Sequence, residues 1–211
     1  MFEITRSRIE SDRISDFVAL GNLVNGAVSY HSAFIIKYNR MIYEIHYPGP
    51  GEGIEIENLK GDYFHKITDT ILPEEVPAFI ALCKNIQKNA NPEYGFFYSG
   101  ESYDVNGNHL SNQDIGEVMT CVGFCINVMK GYHEEDYLEF TDWQSESQST
   151  KYLEEYCKIH NLDIDKIRAF HRRITPREFL ISGFYNNLPI EKKEIEKKEP
   201  EVQEYFETIS N

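Results

Sequence analysis

The sequence predicts an α+β domain in which an antiparallel sheet packs against a central helix that carries a cysteine. Three observations predict it. Two runs rich in Ile, Phe and Tyr, HSAFIIKY and MIYEIHY, flank the two residues Asn39-Arg40, the pattern of a β-hairpin. The run CVGFCINVMKGYH follows Thr120, a good N-cap, and spaces its apolar residues as a helix does. Thr175-Pro176-Arg177-Glu178 opens a later helix with a cap, a proline at the first helical position and the glutamate of a capping box.

In chain order, residues 8–22 carry Ile14, Phe17 and Val18 at helical spacing and suit a short surface helix. The hairpin follows, then PGPGEG (48–53) as a loop, and IEIENL as a returning third strand. Residues 73–89 read as a helix, with Pro73 in its first turn and Glu74 and Glu75 at the positive end of its dipole. Cys83 lies on its apolar face. YGFFYSG is a short aromatic strand or turn whose Tyr94, Phe96, Phe97 and Tyr98 either fill core or wall a cleft. DVNGNHLSNQD is a polar loop with turn chemistry at Asn106-Gly107. The helix after Thr120 comes next, and STKYLEEYCKIH forms another. Residues 1–190 make one domain, and residues 191–211, dense in Lys and Glu, an appended charged tail.

The balance of 21 basic against 35 acidic residues gives a net charge of −14. Such a chain is repelled by nucleic-acid phosphates and by anionic membranes, so neither is an expected partner. The first residues, MFEITRSRIESDR, are charged throughout and are no secretory signal, and no run of apolar residues is long enough to span a bilayer. Four cysteines are too sparse for a disulfide framework, which points to a cytoplasmic protein with reduced thiols.

Cysteine attacks as thiolate, and a helix N-terminus favours the thiolate through its unpaired N–H groups. Cys121 falls in the first turn after Thr120 and is the candidate nucleophile. Cys125 shares a face with Val122, Ile126 and Met129 and reads as core. An isolated cysteine in such a chain is still more often buried filling than catalytic. A base must come from elsewhere. With Asn39-Arg40 as the turn, residues 31, 33 and 35 share a face with 44, 46 and 48. His46 then lies diagonal to His31, with Glu44 on the same face as an alternative orienting residue. The pair serves equally well as base and orienter or as a plain hydrogen-bonded pair. A zinc site from Cys121, Cys125 and the two histidines has poor spacing beside the usual C-x2-C knuckle.

The segments HSAFII from His31, YEIHYPGP from Tyr43 and TCVGFC from Thr120 together resemble the circularly permuted papain-like cysteine hydrolases of the NlpC-type superfamily. In these the histidine strand precedes the cysteine helix. Relatives of this kind include the bacterial YiiX-like and lecithin:retinol acyltransferase-like members. YGFFYSGESYDVNG and RRITPREFLISG add to the likeness, which covers roughly residues 30–185. The resemblance implies a permuted papain-like fold and a cofactor-free, metal-free peptidase or amidase. In that reading Cys121 is the nucleophile, His31 the general base and His46 the orienting group. The acyltransferase branch joins its histidines through a hairpin three residues shorter and carries Cys-Glu-His at its nucleophile, where this chain has Cys-Val-Gly. Lipid acyl transfer, or thioester hydrolysis, on the same fold is the alternative, and a non-catalytic binding protein the other. A small peptide, amide or acyl-ester substrate is the expected partner.

Overall fold

The computed structural model describes residues 4–6, 15–26, 28–111, 115–143 and 147–210. Chain order begins with β1 (Thr5–Arg6), β2 (Phe17–Asn25), β3 (Val28–Tyr38), β4 (Met41–His46), β5 (Glu55–Asn58) and β6 (Phe64–Ile67). These form one antiparallel sheet in the order β1-β6-β2-β3-β4-β5. The hairpin turn falls at Asn39 and Arg40, both with positive φ (50° and 67°), and Tyr38 pairs with Met41. Two positive-φ residues match the right-handed twist of the flanking strands. β5 is the third strand expected from IEIENL. Phe17–Asn25 belongs to the sheet and not to a surface helix. Its apolar residues face both sides of a doubly covered sheet, so they read as a continuous run that periodicity alone cannot separate from a helix. The rest of that expected helix, residues 8–14, lies outside the described residues.

The chain continues with α1 (Val76–Asn89), β7 (Glu93–Tyr94), β8 (Phe97–Tyr98), β9 (Glu101–Tyr103), β10 (His109–Ser111) and β11 (Val118–Met119). Then come α2 (Cys121–His133), α3 (Ser147–His160), α4 (Ile164–Arg168), β12 (His171–Arg172), α5 (Pro176–Ser182) and α6 (Lys192–Ser210). The expected loop around Asn106-Gly107 is the turn of the β9–β10 hairpin. α5 carries the reciprocal capping box of Thr175 and Glu178.

One sheet face, bearing Val18, Leu20, Phe34, Ile36 and Ile45, packs on α1, α2 and α5 in the main core. Phe34 is its hub, edge-on to Phe79 at 5.0 Å, Phe179 at 5.9 Å and Phe124 at 6.5 Å between ring centroids. The other face, with Phe17, Ala19, Ala33 and Ile35, is covered by Tyr63 from the β5–β6 connection. A smaller cluster of Phe96, Val118, Leu153, Tyr156 and Cys157 holds α3 and α4. α2 runs so close to β9 that a Cβ on Gly131 would lie 2.3 Å from the Tyr103 carbonyl oxygen, so only glycine fits there. Of the expected tail, the described residues 191–210 are not detached. Their helix, α6, buries Ile195, Val202 and Phe206 in the main core, with Lys and Glu on its outer side. Counting charge masked that apolar stripe, which recurs at spacings of seven and four.

His65 and His171 are buried, and burial pulls each imidazole down to about 4. Both stay neutral in the fold but protonate near pH 6.5 in the unfolded chain. Their contribution to stability is full above that pH and is lost as pH falls towards 4. Glu101, buried and pushed up to about 7, works in the opposite direction. His171→Phe keeps a ring against Phe96, 5.5 Å away. That variant is expected to lose about 2 kcal/mol of the stability difference between pH 7.5 and pH 5. Urea unfolding of both proteins at the two pH values measures it.

Candidate active site

The candidate residues come from β3, β4 and the start of α2. Thr120 caps α2, its hydroxyl accepting from the Gly123 N–H at 3.0 Å. The first intrahelical bond runs from Phe124 N–H to Thr120 C=O. The N–H groups of Cys121 and Val122 therefore have no partner within the helix and point at the Cys121 sulfur. Burial pushes the thiol above its ordinary value, and those N–H groups with that of Ser32 partly offset the rise. Cys125, fully buried, is pushed up further, and Cys83 likewise sits in the core. Both sulfurs are buried in the main core: Cys121 at the capped end of α2, 5% exposed, and Cys125 one turn on, fully enclosed.

His31 and His46 are joined directly, Nε2 of His31 to Nδ1 of His46 at 2.8 Å, with ring planes 80° apart. The register that brings them together is Ile35 opposite Glu44 and Phe34 opposite Ile45, as expected from the turn. Desolvation, reinforced by His46, lowers His31 to about 4, so it is a neutral imidazole near pH 7. Burial also lowers His46, against the pull of Glu55, Glu57 and Glu52. Glu44 is not bonded to His31. It is buried, accepts from the Gly61 N–H at 3.1 Å, and is pushed up by that burial.

The ladder places His31 on the sheet face of Ala33 and Ile35, whereas α2 packs on the face of Phe34. The sulfur of Cys121 meets the sheet at its margin. It lies against the backbone N–H of Ser32, the residue after His31, beyond the last β3–β4 pair at Phe34 and Ile45. Strand N–H groups lie in the sheet plane, so the thiol approaches β3 edge-on. The thiol thus meets the residue after His31, while the His31 ring stands on the sheet face away from α2 and bonds His46, not the thiol.

Three further residues belong to this region. Glu55 pairs with His46 across β4 and β5, its carboxylate 3.5 Å from His46 Nε2. Glu57 faces Glu44 across the same ladder and binds the Lys60 ammonium. Tyr63 lies 6.5 Å from His31, ring to ring, and burial pushes its phenol up, with Glu44 adding to the rise. The alternation in IEIEN was the signal for Glu55 and Glu57. Tyr63 sits outside any strand, and no periodicity marks it. Phe96 and Phe97 are core, and Tyr94 packs on Tyr47 at 5.7 Å. Among the described residues, the group able to hold a metal is Glu44, His46 and Glu57, with neither Cys121 nor Cys125 in it.

Compared with protein-family models, curated proteins and solved structures, the chain matches none. Among the described residues no helix is long and apolar enough to cross a membrane.

Proposed function

We propose that the protein is a thiol hydrolase of permuted papain-like architecture that cleaves an amide or ester through a Cys121 acyl-enzyme. The observation that carries this reading is the imidazole pair: His31 bonded to His46 at 2.8 Å, one residue along β3 from the N–H that meets the Cys121 sulfur. With Nε2 committed to His46, Nδ1 is the ring nitrogen left to His31 for the thiol. Its lone pair is free when His31 carries its proton on Nε2 and donates to His46. His46 then holds its own proton on Nε2, towards Glu55.

Substrate binding closes the Nδ1–sulfur gap, as catalytic contacts commonly tighten only in the Michaelis complex. His31 Nδ1 takes the thiol proton as sulfur forms a bond to the carbonyl carbon. The resulting oxyanion sits at the capped end of α2, where the Cys121 and Val122 N–H groups converge. Collapse breaks the bond to the amine or alcohol, which leaves with the proton from His31. Water then attacks the thioester, giving one proton to His31, and the sulfur departs and recovers it. The resting thiol is neutral, because burial raises Cys121 while it lowers His31. Activation therefore occurs with substrate in place and not through a standing thiolate.

Iodoacetamide followed by peptide mapping tests the assignment of the sulfur. Cys121 is expected to be modified first, with Cys83 and Cys125 protected until the protein unfolds. Modification of Cys125 before Cys121 would sink the choice of nucleophile.

A further inference from the structure

We propose that Glu44, His46 Nε2 and Glu57 bind a divalent transition-metal ion, and that this ion switches His31 from base to donor. The ligand atoms of the three residues all lie within 4.8 Å of one another. His46 Nε2 is buried, and its contact with a Glu55 oxygen, at 3.5 Å, is at the long limit of a hydrogen bond and readily displaced. Glu44 is only 3% exposed; its carboxyl takes the Gly61 and Lys60 backbone N–H groups and shares a hydrogen bond with the Glu57 carboxyl, the contact that a cation between the two would replace. Glu57 stands directly opposite Glu44 on β5. Like charges directly opposed across a ladder are destabilising, and the cation supplied by the chain is Lys60, whose side chain is 70% exposed and readily displaced. One imidazole and two carboxylates suit Zn²⁺ and its first-row neighbours. Ligands about 2 Å from a tetrahedral ion stand roughly 3.3 Å apart, so a modest inward rotation of Glu57 completes the site.

The consequence for His31 follows from tautomers. A metal takes the lone pair of His46 Nε2, so the proton of that ring must sit on Nδ1. His46 then donates across the 2.8 Å contact to His31 Nε2. His31 in turn carries its proton on Nδ1, the nitrogen that has to accept from Cys121. One ion thereby inverts both rings and removes the base without touching the thiol. This regulatory half rests on the thiol-hydrolase reading, whereas the metal site does not.

The test titrates Zn²⁺ alone into the wild type and into Cys121→Ala by calorimetry, with imidazole nitrogen–proton correlation spectra recorded in parallel. One ion should bind in both proteins, and Glu57→Gln, a change at a partly exposed side chain, should weaken it at least tenfold. The His31 proton should move from Nε2 to Nδ1, and iodoacetamide labelling of Cys121 should slow. Zinc affinity indifferent to Glu57→Gln, or lost in Cys121→Ala, would overturn the site. Binding with the ring protons unmoved would overturn the switch. Zinc binding with the ring inversion, beside a Cys121 that never reacts, would uphold the site and end the hydrolase reading instead.

Discussion

Changing Cys121 to alanine is expected to lower turnover of any responsive thioester, ester or amide by a factor on the order of 10⁴ or more. The loss is that large because in the proposed mechanism the sulfur forms the covalent intermediate, which no neighbour can replace. Cys125 is one helical turn away, but it sits fully buried in the core with its thiol pushed further up. The substitution removes a single atom at the capped end of α2 and leaves Thr120 on Gly123, so the fold should persist. The experiment is a panel of acyl-thioester, ester and short-peptide substrates assayed against wild type and variant, with circular dichroism on both. Hydrolysis that survives in the variant would show that the chemistry belongs to other residues.

His31→Gln should cost about 10² to 10⁴ in kcat, the usual worth of a positioned general base. Glutamine can still bond the His46 ring, so the β3–β4 contact at 2.8 Å has a replacement and the protein should stay folded. Because His31 is held at about 4, the wild-type rate should be nearly flat from pH 6 to 8, whereas a base of ordinary histidine acidity would bend the profile there. His46→Gln should cost less than His31→Gln, since in the proposed mechanism His46 only orients its neighbour. Equal losses at both positions, with KM unchanged, would argue instead that the two rings titrate as one unit. Steady-state kinetics on the three proteins across that pH range decides it.

The legible parts of this chain were those with local signals. Asn39-Arg40 fixed the hairpin, and from it followed the faces of His31, Glu44 and His46, because strand period leaves one solution once the turn is known. Thr120 and Thr175 marked the starts of α2 and α5 through cap chemistry alone. The illegible parts were long-range. Phe17–Asn25 pairs with β3 and β6, and nothing within its own window reports that both of its faces will be covered. α6 is judged solvated on charge, yet its three buried residues find a core assembled from much earlier segments. At the site, sequence supplied the thiol and the imidazoles but could not say that α2 would lie on one face of the sheet and the histidines on the other. Whether a helix start meets a strand across a face or around its margin depends on sheet curl, which local pattern does not encode.

The packing of α6 also bears on how the protein is made. Phe206 rests on Phe64 with ring centroids 4.9 Å apart, and the Tyr205 hydroxyl donates to the Ile4 carbonyl at 3.1 Å across 201 positions of chain. A polypeptide made only as far as α5 therefore holds an unfinished interior: the sheet edge at β6 and β1 waits for a helix encoded far downstream of both strands. Until α6 arrives, aromatic surface on Phe64 is open to chaperones and to sticking, and the interior seals late in synthesis.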